Sequence, residues 1–229
     1  MTYSEATKEV LIETVDNIIL PIISATKEIV LDSEYIKPIV IIKNELIKSK
    51  INNFFNTLNK KTEQERIEFI NDLDDNIKPF FAETVSKIID LDDNLQLYVM
   101  SYLTEQYIKN NDLDYYEKKL YYNINTLSED DFKIFYCLFK DNFNDKKNPK
   151  IHVNHYKKKE IISISLNRFS NLGLLILKMS FTKNFEIIKN KENYVCSEYS
   201  KKLYDCLDNY FKDCNCGKII IKNDSTINY

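Results

Sequence analysis

Two histidines and a carboxylate at short spacing are the residues of this chain best suited to metal or general-base chemistry. His152 and His155 are separated by two residues, and Glu160 follows five residues after the second histidine. Such a set can hold a divalent ion, but a working site also needs a third ligand or an element that orders the pair. The lysine-rich sequence around the histidines provides neither, so we expect no metal site there.

Thiol chemistry is the next possibility, since the chain has five cysteines. Cys214 and Cys216 form a C-x-C pair with only Cys206 near in sequence, whereas zinc knuckles usually use C-x-x-C. Cys137 lies between apolar residues and is interpreted as a small buried hydrophobe rather than a nucleophile. The odd number of cysteines, with neither a signal peptide nor a long apolar segment, predicts a cytoplasmic location without disulfides or a structural metal.

Nucleotide and calcium chemistry lack their usual sequence features. The chain has two glycines, which are too few for a glycine-rich phosphate loop or a dinucleotide fingerprint. Asp72, Asp74 and Asp75 lack the glycine and the terminal glutamate of a calcium loop, and we assign them to a helix end and the next helix start. We therefore predict a protein that is not an enzyme and uses no cofactor.

Charge is distributed unevenly along the chain, whose formal net charge is −3. Residues 126–229 carry 18 basic and 13 acidic side chains, whereas residues 1–125 carry 14 and 22. The basic second half favours a polyanion or an acidic partner, although biased lysine usage on a solvated surface explains it equally well. If this half binds DNA, lysines would contact phosphates and two polar side chains would contact base edges. The residues are Lys157, Lys158, Lys159, Lys183, Asn167 and Arg168.

Gly173 marks the predicted end of the helix that carries Asn167 and Arg168. An amphipathic run from Glu160 to Leu172 precedes it, and a β-rich segment, Leu174 to Met179, follows. Glycine can end a helix in the left-handed conformation without a Cβ clash, so the pattern predicts a helix, a stop and a strand. The residues assigned to the buried helix face are Ile161, Ile162, Leu166, Phe169 and Leu172.

A second strand and a further helix complete a recognisable order in the second half. Residues 194–196 are predicted to pair with the first strand, residues 183–192 form the hairpin tip, and Ser197 caps the last helix. Helix, strand, hairpin, strand, helix is the order of a winged helix-turn-helix. A polar insertion at residues 144–159 stands where a second short helix usually lies. We predict a winged-helix-like α+β module at residues 126–212 and a tail at 213–229.

Residues 1–125 predict a helical bundle with short connections. Thr62 and Glu65 form a capping box and Pro79 starts another helix. Asp92-Asp93 caps the next helix, and Asp112-Leu113-Asp114 opens a further one. The fold class is therefore mainly α, with an N-terminal bundle followed by the winged-helix-like module. Residues 10–42 are dense in apolar side chains, but charged residues interrupt them, so a buried helical hairpin is favoured over membrane insertion.

Several segments together resemble a group of small helical bacterial proteins found in prophages and mobile elements. They span roughly residues 55–205 and are Thr62–Ile70, Glu83–Asp90, Leu97–Leu103, Tyr115–Tyr116, Leu172–Leu174 and Tyr194–Leu203. The nearest named relative is the abortive-infection alpha family of phage-resistance proteins. The resemblance implies a helical half followed by a Leu-Gly-Leu turn and a final helix, and a role in phage defence. It brings no catalytic residue with it.

Three functional hypotheses follow from these observations. The first is a non-enzymatic cytosolic interaction or sensor protein of a phage-defence or mobile-element system, which acts through a protein partner or as a homo-oligomer. The second is a winged-helix transcriptional regulator that binds DNA through the C-terminal module. The third is an abortive-infection effector that acts on the membrane through residues 10–42.

Overall fold

The part of the chain that the structure describes is mostly helical. The computed structural model describes residues 37–143, 150–152, 159–178 and 193–213. These residues form eight α-helices, one short 3-10 helix and a small sheet, which confirms the predicted mainly helical class. The chain divides into two compact units, Met1–Leu113 and Asp114–Tyr229. The division falls before the helix that begins at Tyr115, whereas the sequence places it after residue 125.

Four helices of the described chain belong to the first unit. Their bounds are Lys37–Thr57 (α1), Glu63–Asn71 (α2), Lys78–Ile89 (α3) and Asn94–Asn110 (α4). The Thr62 hydroxyl accepts from the Glu65 N–H at 3.2 Å, while the Glu65 carboxylate accepts from the Thr62 N–H at 2.8 Å. Asp93 and Gln96 form the same reciprocal cap on α4. Both predicted helix starts are confirmed, because these signals involve only residues three apart in sequence.

Aromatic rings from α1, α3 and α4 fill the core of the first unit. Phe54 and Phe55 are fully buried and lie 6.2 Å and 6.0 Å from the ring of Phe81. Phe80 stacks on Tyr107 with 3.7 Å between ring centroids. Burial of rings of this size is the main stabilising contribution available to such a bundle. The apolar face of α4 is buried at Leu95, Val99, Leu103 and Tyr107.

The other described helices and the three strands belong to the second unit. The helices are Tyr115–Asn123 (α5), Glu129–Phe143 (α6), Lys159–Asn171 (α7) and Glu198–Asp213 (α8), with a 3-10 turn at Ile124–Thr126. The strands are Lys150–His152 (β1), Leu175–Lys178 (β2) and Asn193–Cys196 (β3). Phe135 of α6 and Phe169 of α7 have ring centroids 4.7 Å apart and lie in the core of this unit.

Strand β3 is the central strand of an antiparallel sheet with the order β1-β3-β2. Leu175 pairs with Cys196 and Ile176 pairs with Val195, which confirms the predicted pairing of the two hairpin strands. On the other edge, residues 150–152 pair with residues 193–195. The sequence interpretation missed β1 and treated its residues as part of a polar insertion. A strand of three residues shows too little alternation of apolar and polar side chains to be detected locally.

Gly173 ends α7 in the predicted left-handed conformation, with φ of 76°. Its N–H donates to the carbonyl oxygen of Ser170 at 2.9 Å, and the next N–H, of Leu174, donates to that of Phe169 at 3.0 Å. This pair of bonds is a Schellman motif, which satisfies two of the carbonyls that the helix end leaves without partners. The motif turns the chain directly from α7 into β2.

The carbonyl oxygen of Leu174 anchors the start of α8. The Ser197 hydroxyl donates to it at 3.0 Å, and the buried Ser200 hydroxyl donates to it as well. The Ser200 oxygen also accepts from the Ser197 N–H at 3.0 Å. Ser197 thus lies at the predicted position directly before α8, where the side chain of Ser200 accepts from its backbone N–H and its own hydroxyl reaches the turn after α7.

Several expectations concern residues outside the described parts of the chain. These are the helix at residues 5–23, the hairpin tip at 183–192, the C-x-C pair at 214–216 and the tail beyond residue 213. Of the apolar stretch at residues 10–42, the structure describes residues 37–42, which begin α1. Within the described residues, no helix combines the length and the apolar character needed to cross a membrane.

Candidate functional site

The outward face of α7 is the candidate functional surface of the second unit. Ile161 and Ile164 expose 55% and 56% of their surface, although the sequence assigns Ile161 to the buried face. That assignment is wrong, because Ile162, Leu166 and Phe169 already supply the side of α7 that faces the core. The exposed residues follow one stripe along the helix, and they are Glu160, Ile161, Ile164, Asn167, Arg168 and Asn171.

Arg168 is tied to the first turn of α6. Its Nη1 lies 2.5 Å from Oδ2 of Asp131, whose side chain is only 5% exposed, while the arginine side chain keeps 46% exposure. The same carboxylate oxygen accepts from the N–H of Ser128 at 2.8 Å. Burial opposes ionisation of Asp131, but its hydrogen bonds, led by the one from the Ser128 N–H and including the one from Arg168, outweigh it and lower the pKa of this carboxyl. The ion pair therefore joins the end of α7 to the start of α6.

Asn167 is tied to the sheet. The hydroxyl of Tyr194, a buried residue of β3, donates to Oδ1 of Asn167 at 2.8 Å. A buried tyrosine hydroxyl needs a hydrogen-bond partner, and this bond holds the side chain of Asn167 against β3. Asn167 thus connects α7 to the sheet, and Arg168 connects it to α6.

The structure places only part of the predicted nucleic-acid surface. Asn167 and Arg168 are adjacent on the exposed stripe of α7, and both bond to other side chains of the second unit. Lys159 is the first residue of α7, and only its backbone is described. Lys157, Lys158 and Lys183 lie outside the described residues.

The residues considered for metal and thiol chemistry do not form a site in the described parts of the chain. Among those residues, no three His, Cys, Asp or Glu side chains lie together as a metal would require. Burial raises the pKa of Cys196 to about 12, so its thiol is protonated and a poor nucleophile at neutral pH. Cys206 is buried, whereas Cys137 is half-buried, so the expectation of full burial for Cys137 is corrected.

A second polar cluster lies where α8 meets the start of α5. Nζ of Lys202 contacts Oδ2 of Asp114 at 2.6 Å and Oε1 of Glu117 at 3.5 Å. The bond to Asp114 is the main cause of the raised pKa of Lys202. Asp114 and Glu117 also form the reciprocal cap of α5, so this cluster has a structural explanation as a helix start.

Sequence reasoning missed the exposed isoleucines of α7. The signal was present, since apolar side chains on this helix cover a wider arc than one buried face needs. Comparisons with protein-family models, curated proteins and solved structures found no match for this chain.

Proposed function

We propose that this chain is a non-enzymatic interaction or sensor protein of a phage-defence or mobile-element system, and that α7 meets its protein partner. The exposure of Ile161 and Ile164 on one stripe of α7 carries this proposal. Isoleucine offers no hydrogen bond to phosphates or base edges, whereas its burial against another protein contributes about 25 cal/mol for each Å² of apolar surface. An apolar centre with polar edges is the usual composition of a protein-binding patch.

The polar residues of the stripe support a protein partner over DNA. Bidentate recognition of guanine by arginine uses two neighbouring N–H donors, and Nη1 of Arg168 already donates to Asp131. The side-chain carbonyl oxygen of Asn167 accepts a hydrogen bond from the hydroxyl of Tyr194. A bidentate contact with adenine needs the same oxygen as its acceptor. The resemblance to the abortive-infection alpha family and the expected cytoplasmic location are consistent with this role, and they belong to the same proposal.

Phage plating tests this function in a bacterial strain that carries the gene. Deletion should raise the efficiency of plating of at least one phage, and the double variant Ile161→Asp/Ile164→Asp should behave like the deletion. Leu46→Asp is a matched control, since Leu46 is 54% exposed on α1 in the other unit. Circular dichroism should show that both variants remain folded. Full protection by the double variant would refute a role for α7, and plating unchanged by deletion would refute phage defence.

The topology of the second unit supports a winged-helix DNA-binding regulator as the second candidate. The described elements follow the order α6-β1-α7-β2-β3-α8 with the strand order β1-β3-β2, an arrangement consistent with a winged-helix module. In such a module α7 would enter the major groove, and Lys157, Lys158, Lys159 and Lys183 would contact phosphates. Neutralising several phosphates makes affinity fall steeply with salt. A promoter fragment bound at about 50 mM salt and released at about 200 mM would support this candidate, and absence of binding at the lower salt would eliminate it.

A further inference from the structure

We propose that a second copy of this chain binds the exposed stripe of α7, as an antiparallel pair of α7 helices related by a two-fold axis at Ile164. This inference rests on the proposed docking role of α7 and names the partner. A two-fold contact requires a surface that is complementary to itself, so that each residue meets its counterpart on the other side of the axis. The order of residues along the stripe meets that requirement.

The positions of Glu160 and Arg168 provide the complementarity. Each lies four residues from Ile164, one before it and one after it, and both are exposed. With 1.5 Å of rise per residue, each charge lies about 6 Å from the axis along the helix. An antiparallel pair therefore places Glu160 opposite the partner's Arg168 twice. A parallel pair would place like charges together, which is unfavourable, so the charges select the antiparallel arrangement.

The apolar residues lie at the centre of the same contact. A step of about 100° per residue places Ile164 in the middle of the stripe, between Glu160 and Arg168 around the helix, with Ile161 one turn away on the same face. Four isoleucines from two copies would meet near the axis, with opposite charges at both ends. Packed helices of this kind approach to about 8–10 Å, close enough for these side chains to interdigitate.

The expected association is weak because the surface is small. One face of a 13-residue helix offers a contact near the lower limit of specific interfaces, roughly 1,000 Å² in total. We therefore expect a dissociation constant on the order of 10–100 µM rather than nanomolar binding. Arg168 can take part without leaving Asp131, since 46% of its side chain remains exposed beside that ion pair.

Cysteine cross-linking of the full chain tests the geometry. Residues on a two-fold axis meet their own copy, so Ile164→Cys should form an intermolecular disulfide several-fold faster than Ile176→Cys. Ile176 is a matched control because it is 52% exposed on β2 of the same unit. The unchanged chain, oxidised in parallel, measures the background from its native cysteines. Equal rates for the two variants would overturn the proposal.

Sedimentation equilibrium tests the charge pairing. Glu160→Lys would face the partner's Arg168 and should weaken self-association about tenfold, whereas Glu160→Gln should weaken it about twofold. Arg168 is not altered because it also holds Asp131. A monomeric wild type at about 200 µM, or equal association of the two Glu160 variants, would overturn the antiparallel pair. If the wild type is monomeric and the Ile161/Ile164 variant still loses phage protection, the docking role of α7 stands. Only a second copy of the chain is then excluded as its partner.

Discussion

The ring of Tyr116 lies directly against Gly173. Any Cβ at this glycine would lie 2.8 Å from Cε1 and 3.2 Å from Cδ1 of the tyrosine ring. Gly173 therefore meets two separate requirements, since it adopts a left-handed φ at the end of α7 and leaves space for a ring from α5. Tyr116 also stacks on Tyr199 of α8, with 3.7 Å between ring centroids. The ring of Tyr116 thus lies between Gly173, at the end of α7, and Tyr199 of α8.

Replacement of Gly173 by alanine, with and without the ring of Tyr116, should measure the two requirements separately: the left-handed backbone and the space for the ring. We expect Gly173→Ala to lower the free energy of unfolding of the second unit by about 2–3 kcal/mol, of which about 1 kcal/mol reflects the left-handed backbone and the rest the displaced ring. Urea unfolding followed by circular dichroism measures the change. In a Tyr116→Ala background the same substitution should cost only about 1 kcal/mol, because the ring is gone. Strict additivity of the two substitutions would contradict a clash between them.

The Asp131–Arg168 pair should make stability depend on pH. The pKa of Asp131 is lowered in the folded chain, so the carboxylate stabilises the fold above its unfolded pKa of about 4 and loses that contribution as pH falls through the folded value. We expect the free energy of unfolding to fall below about pH 4. Asp131→Asn should flatten this dependence and remove about 1–2 kcal/mol at pH 7.

The matched control for that prediction is the neighbouring acidic residue. Asp130 is exposed on the same first turn of α6. Asp130→Asn should retain the acid-induced loss of stability and change the value at pH 7 by less than about 0.5 kcal/mol. Urea unfolding at several pH values between 2.5 and 7 measures both variants. Identical pH profiles for the two would mean that ionisation of Asp131 does not produce the effect.

Ser200 should be more important for α8 than Ser197. Ser200 is fully buried, and its hydroxyl links the N–H of Ser197 to the carbonyl oxygen of Leu174. We expect Ser200→Ala to cost about 1–3 kcal/mol, since it removes an acceptor of the part-buried Ser197 N–H and a buried donor to the carbonyl oxygen of Leu174. Ser197→Ala should cost less, because Ser200 still donates to Leu174. Thermal unfolding of the two variants decides the order, and a larger loss for Ser197→Ala would contradict the observed bonding.

The helix starts of this chain could be predicted because their signals are local. Thr62 and Glu65 lie three residues apart, and each satisfies the backbone N–H of the other, so the pattern is complete within four residues. The glycine stop at residue 173 is equally local, since one residue type favours one backbone conformation. Such signals located the described helices and the hairpin strands with errors of up to three residues.

The features that depend on distant partners could not be predicted. Strand β1 exists because it pairs with β3, more than 40 residues later in the chain. The exposure of Ile161 depends on where α6 and the sheet cover α7, which the periodicity of the helix alone does not state. Arg168 was assigned to base recognition by its residue type, but the carboxylate it meets, Asp131, lies 37 positions earlier. These are tertiary relationships, which the local sequence does not specify.

The first unit offers a test of a buried arginine that bonds to neutral groups. Arg66 is only 9% exposed, and its guanidinium donates to the carbonyl oxygens of Lys60 and Lys61 and to the amide oxygens of Asn52 and Asn56. The planar group therefore joins α2 to α1 and to the turn between them. Burial without a directly bonded carboxylate lowers the pKa of Arg66, although a guanidinium stays charged throughout the accessible pH range.

We expect Arg66→Lys to destabilise the first unit by about 1–3 kcal/mol, although it retains the positive charge. A lysine places its donors on one atom, so it cannot reach acceptors that a guanidinium contacts along two edges. Arg66→Met should cost a similar amount, since it leaves the same four oxygens without this donor.

Lys61→Ala is the control, because Arg66 bonds to the backbone of residue 61 and not to its side chain. Hydrogen exchange of the α1 and α2 amides, with urea unfolding, measures the loss. If the α1 and α2 amides of Arg66→Lys keep wild-type protection from hydrogen exchange, charge alone holds these helices together. If both Arg66 variants lose that protection and Lys61→Ala does not, the shape of the guanidinium is the cause.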